Sequence, residues 1–456
     1  WVFNRTLYSA KLKMMKLIPL TECVFEKDVN IKRINIVELN IDSIEDFLKG
    51  LSDRDKEEII KIADKAIKGK IRGFSSLELD YGYPLDWHYS PVTKVKVDKD
   101  IKWYKIPDFD ADRGDVKAIW EASRFTHFLY FARAYIITKD IKYYQAYSNQ
   151  LESWLRENTY SYGVHYKCGQ EATLRMINAL ITHSVFDYYD LTTNNDEKNL
   201  KSLVEGSYKK VISNFFYAHR CIKNNHTLSE ITGLIVGAWC AEDMHSMEKA
   251  YKLLDEVIAE QFEKDGGYVQ FSFNYQRFAL QIMEFILKIG NVTGISPSEE
   301  SLNLVKKSVL QMYQLQDEIG DMPNYGSNDG ALIFPLASCG YRDFRPTLNT
   351  VYALIEGRRL YEPGIYDEEI LWFLEKDLQE ISIHEVKKES KAFRASGLYS
   401  LRTQEGFMMI ILHNYKVRPG QMDQMHIDLW HKGINVLCDS GTYSYASNSG
   451  KKMSLT

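Results

Sequence analysis

At 456 residues the chain is too long for one ordinary compact domain, so two or more are expected. An apolar content of 45%, a charged content of 26% and a formal net charge of −5 are those of a globular protein without the basic footprint of a nucleic-acid partner. The six cysteines are scattered with no CxxC pair, which argues for free thiols over a zinc ribbon, and no apolar run is long enough to span a membrane.

Residues 1–85 read as a helical lead-in. Asp42-Ser43-Ile44-Glu45-Asp46 predicts a helix start with Ser43 and Asp46 as a capping box. Ser52-Asp53-Arg54-Asp55 opens a second helix, Lys56 to Lys68. Leu79 to Pro107 is irregular and rich in Tyr, Trp, Asp and Pro. Long irregular connections are often functional. This one carries His88 and Trp87, the latter read equally as a plug over the domain's end or as a ring that faces a ligand. From Asp115 to about Glu380 helical periods follow one another: 115–138, 140–157, 169–190, 197–218, 227–243, 246–263, 273–291, 299–315, 345–358 and 367–380. Paired helices of this length close into bundles, solenoids or toroids, and period alone does not choose among them. Near Lys388 the period changes to that of strands: 393–402, 407–412, 426–430 and 434–438, with hairpin signals at Thr403-Gln404-Glu405-Gly406 and Lys432-Gly433. The expected divisions are 1–85, 86–387 and 388–456.

Several stretches carry more than fold information. Lys223-Asn224-Asn225-His226-Thr227-Leu228-Ser229-Glu230 precedes an apolar helical pattern, and Asn is a good N-cap. Two carboxamides, an imidazole and a carboxyl one turn later exceed what a cap needs; they suit holding a carboxylate and moving a proton. Asp265-Gly266-Gly267 is a turn signal, followed by a helix that carries Tyr275 and Arg277 near its start. Glu121 and Arg124 (i, i+3) and Glu171 and Arg175 (i, i+4) are spaced to meet on one helix face. They read first as structural ion pairs, although an Arg held by a Glu can also present its fork to a ligand carboxylate. The polar run Asp321–Gly330, with Asn328, looks like a cleft edge.

Taken in order, Asp86-Trp87-His88, Gly114-Asp115-Val116-Lys117-x-x-Trp120-Glu121-x-x-Arg124, Gly169-Gln170-Glu171-x-x-x-Arg175, Asn224-Asn225-His226-x-x-x-Glu230, Asp265-Gly266-Gly267-Tyr268-x-x-x-Ser272-Phe273-x-Tyr275 and Asp439-Ser440-Gly441-Thr442-Tyr443-Ser444-Tyr445 resemble the heparinase II/III-like polysaccharide lyases. The branch most resembled is found with bacterial exopolysaccharide gene clusters. The likeness runs from about Leu79 to Tyr445. It implies a mainly α fold, an incomplete α/α toroid, followed by an antiparallel β-sandwich. A sandwich of about 100 residues does not fit between Lys388 and Thr456, so the β part is expected to be incomplete.

The implied reaction is β-elimination at a 4-linked uronic acid in an acidic polysaccharide, with no cofactor required. Asn225 would neutralise the carboxylate, with Asn224 and His226 beside it. Tyr275 would be the acid and is a candidate for both proton steps, helped by a cation from Arg277 or protonated His226. Trp87, His88, Arg124, Glu171, Arg175, Glu230, Arg277 and Asn328 would complete the substrate contacts. One departure stands out. Related lyases carry His-x-His-x-Asp at the start of the β part, the first His catalytic and the second a zinc ligand. This chain has Pro419-Gly420-Gln421-Met422-Asp423. His426 is the candidate replacement, weighed equally against a strand histidine bonded to Asp428 or Asp439. A structural zinc on His426 and Asp439 would need two further ligands. Two alternatives remain open: a glycoside hydrolase that uses two of Asp265, Asp321, Asp329 and Glu230, and a non-catalytic glycan-binding or assembly protein. The sequence starts at Trp1, not Met, so the lack of a visible signal peptide leaves the address open between cytoplasm, periplasm and exterior.

Overall fold

A computed structural model describes residues 2–18, 28–107, 110–415 and 421–442. Cys23, Pro419, Gly420 and Tyr443–Tyr445 therefore lie outside the described residues. The chain forms two compact units, Trp1–Tyr251 and Lys252–Thr456, a division that differs from the one read from composition and period.

In the first unit α1 (Val2–Leu17) is followed by α2 (Ile41–Gly50), α3 (Asp53–Ile67) and a hairpin of β1 (Lys70–Gly73) and β2 (Leu77–Asp80). Next come α4 (Lys117–Ser123), α5 (Thr126–Thr138), α6 (Lys142–Glu157), α7 (Gly169–Tyr188), α8 (Asn194–Tyr217) and α9 (Asn225–Cys240). α10 (Met244–Gln261) holds the division between the units. Almost every residue of α7 and α9 is buried, as in a helix enclosed by others. α7 packs on α5, α8 and α9, and the lead-in helices α2 and α3 pack on α5. Ser52 caps α3 as expected, its Oγ accepting the Asp55 N–H. The cap of α2 is Asn40, not Ser43.

Two departures from the expected elements share one cause. The helix expected over 115–138 breaks at Phe125, which is fully buried in the left-handed region (φ +59°). The hairpin at 70–80 was not expected, because its turn places Phe74 (φ +48°) and Ser75 (φ +60°) where Gly or Asn is the usual signal. Both conformations cost local free energy and are held from a distance. The Phe125 ring packs edge-on to Trp87 and Trp154, both at 5.9 Å, and the Phe74 N–H donates to Glu121 Oε2 at 2.8 Å.

The second unit contains α11 (Phe273–Thr293), α12 (Glu299–Gln314), α13 (Arg345–Glu356) and α14 (Glu368–Phe373), the last shorter than the expected 367–380. Five strands follow in an antiparallel meander: β3 (Lys391–Phe393), β4 (Leu398–Arg402), β5 (Gly406–Ile411), β6 (Ile427–His431) and β7 (Ile434–Leu437). The register pairs Leu398 with Ile411 and Phe407 with Trp430, so alternate residues form one buried face. Both predicted hairpins, 403–406 and 432–433, are present.

The core of this unit buries two carboxyls. Glu284 of α11 and Glu369 of α14 are 0% and 2% exposed. Burial raises both, Glu369 to about 8, and the Glu369 charge further opposes ionisation of Glu284. Between the ordinary value of 4.5 and about 8 the unfolded chain has lost the Glu369 proton while the folded chain keeps it, and Glu284 acts in the same direction. Their contribution to stability is therefore fully present below pH 4.5 and is lost as pH rises towards 8. Denaturant midpoints at pH 5 and pH 8 should show this loss, and Glu284→Gln should flatten it. Equal slopes for wild type and variant would contradict the assignment.

Candidate active site

The first unit presents the Asn-Asn-His cluster at a sharp entry into α9. After α8 the chain makes a π-helical turn (Ala218–Ile222), and Lys223 then adopts φ +57°. Extra-wide turns of this kind often mark functional positions. Asn224 caps α9, its Oδ1 accepting the His226 N–H at 3.0 Å. Asn225 is 2% exposed and donates from Nδ2 to Gln170 Oε1 at 2.8 Å, an oxygen that also accepts from Ser229 Oγ. The carboxamide is thus oriented by a second one on α7. His226 is half-buried, with Nδ1 3.6 Å from Cys168 Sγ. Burial pushes the Cys168 thiol up to about 12, so the ring faces a neutral neighbour.

Behind this cluster lies a buried charge network. Arg124 sends Nε and Nη2 to the two Glu171 oxygens, both at 2.8 Å, and Nη1 to Glu121. Burial alone would raise the Glu171 carboxyl, but Arg124 holds it below the usual carboxylate range, with a smaller contribution from His226. The expected Glu171–Arg175 pair does not form. Arg175 is fully buried, 4.4 Å over the Trp154 ring, and donates to the His165 carbonyl at 3.0 Å. Glu230 is also fully buried, and its Oε1 accepts from Asn214 Nδ2 at 2.8 Å. It lies so close to Gly169 that a Cβ there would sit 2.4 Å from its Cδ, which explains the glycine that opens α7.

The second unit presents Tyr275 at the start of α11. Phe271 (φ +51°) turns the chain, and Ser272 caps the helix by accepting the Tyr275 N–H at 3.2 Å. Tyr275 is half-buried and its phenol donates to Asp329 Oδ2 at 3.1 Å. Asn274 Nδ2 donates to the other Asp329 oxygen at 3.1 Å. The Tyr341 hydroxyl lies 2.6 Å from both Asn274 Oδ1 and Asn328 Oδ1. The loop that supplies Asn328 and Asp329 is pinned against α11 at Gly326 (φ +73°), where a Cβ would lie 1.9 Å from the Phe271 carbonyl oxygen. The Asn328 N–H donates to Thr442 Oγ1 at 3.2 Å, so the Asp439–Thr442 stretch braces the same loop.

Besides Arg124 and Glu171 in the network above, four expected substrate contacts are internal supports, because spacing reveals residue type but not depth. Trp87 is 1% exposed, with Nε1 on Ser153 Oγ at 3.3 Å and its ring edge-on to Phe125. His88 is 2% exposed and bonds the Glu157 carbonyl at 3.2 Å. Arg175 is described above. Arg277 is 1% exposed, donates to the Tyr341 carbonyl and lies over the Tyr341 and Phe344 rings at 4.3 and 4.0 Å. Where a cationic neighbour was expected for the Tyr275 phenol, a carboxylate accepts its hydrogen bond. Gln170, Asn274 and Tyr341 were not foreseen as site residues. Gln170 stands inside the Gly169-Gln170-Glu171 motif, and Asp329 had been weighed only as a carboxyl for hydrolysis.

In the β part His426 directly precedes β6, with Nε2 3.9 Å from Asp428 Oδ2, beyond hydrogen-bond reach. Asp428 is held by Trp430 Nε1 at 2.6 Å. Asp439 Oδ1 accepts the Gly441 N–H at 2.6 Å. Among the described residues no three His, Cys, Asp or Glu side chains converge to hold a metal.

The family description "Heparinase II/III N-terminus" matches residues 35–324. Among solved structures, a heparinase III aligns with TM-score 0.55 at 15% identity, over 97% of this chain and 67% of its own. The heparinase III BT4657 gene product aligns with TM-score 0.53 at 16% identity, over 98% and 66%. The heparan sulfate lyase HepC from Pedobacter heparinus aligns with TM-score 0.51 at 17% identity, over 90% and 62%. At these identities the likeness is one of fold, and the chain spans about two thirds of those structures' length or less. Comparison with curated proteins finds no match.

Proposed function

The chain belongs to the heparinase II/III family, and from that premise we propose that it is a polysaccharide lyase that cleaves a uronate-containing acidic polysaccharide by β-elimination, in exopolysaccharide metabolism. The observation that supports this most is a matched pair of half-buried titratable rings, each in the first turn of a capped helix: His226 with Glu171 behind it, Tyr275 with Asp329.

The chemistry assigns a task to each. The C5 proton of a uronate is poorly acidic until the neighbouring carboxylate is neutralised. Asn225, oriented by Gln170 at the positive end of the α9 dipole, stabilises the charge that spreads into that carboxylate. His226 takes the C5 proton, and Glu171 steadies the imidazolium. The C5–H electron pair becomes the C4–C5 double bond as the C4–O4 bond breaks. Tyr275 gives its phenolic proton to O4, and Asp329 aligns that phenol until the leaving oxygen replaces it as acceptor.

Wild-type protein incubated with a panel of uronate polymers should produce the ultraviolet absorbance of the unsaturated sugar. Asn225→Ala should lower kcat by about 100- to 1,000-fold, the usual effect of removing one donor to a developing anion, with KM little changed. No rise with any uronate polymer would count against the proposal.

A further inference from the structure

We infer that the first unit contains a subsite for an anionic sugar ring of the substrate, roofed by α1 and reaching as far as His226. This inference rests on the lyase reading and adds to it a binding position that involves residues before the family match, which begins at residue 35.

A cavity of about 350 Å³ lies in this unit, within the size range of small-ligand sites. Its lining combines the three features that an acidic sugar requires. Trp103 and Trp120 supply aromatic surface, which suits the apolar face of a sugar ring; the Trp120 indole is fixed by Nε1 on the Val164 carbonyl at 3.0 Å. Lys16 of α1 and Lys167 before α7 supply positive charge, and Lys167 Nζ is anchored on the Ile106 carbonyl at 2.7 Å. His226 and Glu230 border the same space.

A second observation points to a polar ligand. Glu230 Oε2 is buried without a hydrogen-bond partner, which is costly in a packed interior, and it belongs to a residue that lines the cavity. Lys210 Nζ is likewise buried without a hydrogen-bond partner and sits 3.6 Å over the Trp103 ring. Burial drives Glu230 towards its protonated form and Lys210 towards its neutral one. A protonated Glu230 can donate to a sugar oxygen as well as accept from one. α1 is seated over the space by Tyr8, whose ring stacks on Tyr217 at 4.1 Å, and by Lys11 Nζ on the Ser213 carbonyl at 3.0 Å.

The test uses the full chain with tetrasaccharides of alginate and of polyglucuronate, and neutral cellotetraose as control. Binding is read by tryptophan fluorescence and turnover by absorbance. Lys16→Glu, on the exposed side of α1, and Trp103→Ala should each raise Kd and KM for a charged tetrasaccharide about tenfold, with kcat within a factor of two. Thermal melts check that both variants fold. Unchanged Kd and KM in folded Lys16→Glu, with wild type active, would overturn the subsite and leave the lyase reading standing. Binding by wild type without turnover, weakened by Lys16→Glu, would support the subsite and overturn the lyase reading. Wild type that neither binds nor cleaves these tetrasaccharides would overturn both.

Discussion

Tyr275→Phe is expected to abolish turnover while the protein stays folded. The variant keeps the ring and its packing and removes only the hydroxyl that donates to Asp329. Ser272 still caps α11 through the backbone N–H of residue 275, so the helix start is preserved. A positioned acid or base contributes about 100- to 10,000-fold to a proton-transfer step, and a residue that delivers the proton to the leaving oxygen belongs at the upper end. The expected result is a fall in kcat of about 1,000-fold or more. Stability should drop by only about 0.5–1.5 kcal/mol, the usual net value of one hydrogen bond. Steady-state kinetics and denaturant unfolding of the same preparation check both halves. If Tyr275→Phe kept most of the activity while Asp329→Asn lost it, a carboxylate would be the working group and the hydrolase alternative would gain.

Arg124→Ala is expected to be the most destabilising single change in the first unit. Arg124 is 8% exposed and compensates two buried carboxylates, Glu171 through a two-pronged contact and Glu121 through its remaining nitrogen. Removing one partner from a buried ion pair costs about 3–5 kcal/mol, because the charge left behind has neither water nor a counter-ion. Glu121 also holds the Phe74 turn, so the β1–β2 hairpin should loosen with it. Denaturant unfolding should show the loss, and Glu121→Gln with Glu171→Gln in the Arg124→Ala background should recover part of it. A loss below about 1 kcal/mol, the scale of a surface pair, would show that the network is not buried in solution.

The contrast between these two residues shows what the sequence alone can reveal. Tyr275 was recognised by its place in a motif, and the structure puts it at a helix start with a half-buried phenol. Arg124 was recognised too, but with Glu121 alone, since i, i+3 spacing is visible along one helix while the partner on α7 is 47 residues away. Helix and strand positions were legible because burial imposes a period of 3.6 or 2 on the apolar residues. The left-handed Phe125, Lys223 and Phe271 were not, because each is a non-glycine held there by its surroundings. Depth was the other hidden quantity: Trp87, His88, Arg175 and Arg277 are polar or amphipathic residues that are buried and each make a hydrogen bond inside the protein.

The most direct test of the central claim is the mass of the products formed from an acidic polysaccharide in heavy-oxygen water. Elimination adds no water, so the new non-reducing ends should be unsaturated and the products free of heavy oxygen from cleavage. Heavy oxygen at the cleaved bond, with saturated ends, would identify hydrolysis and contradict the lyase account.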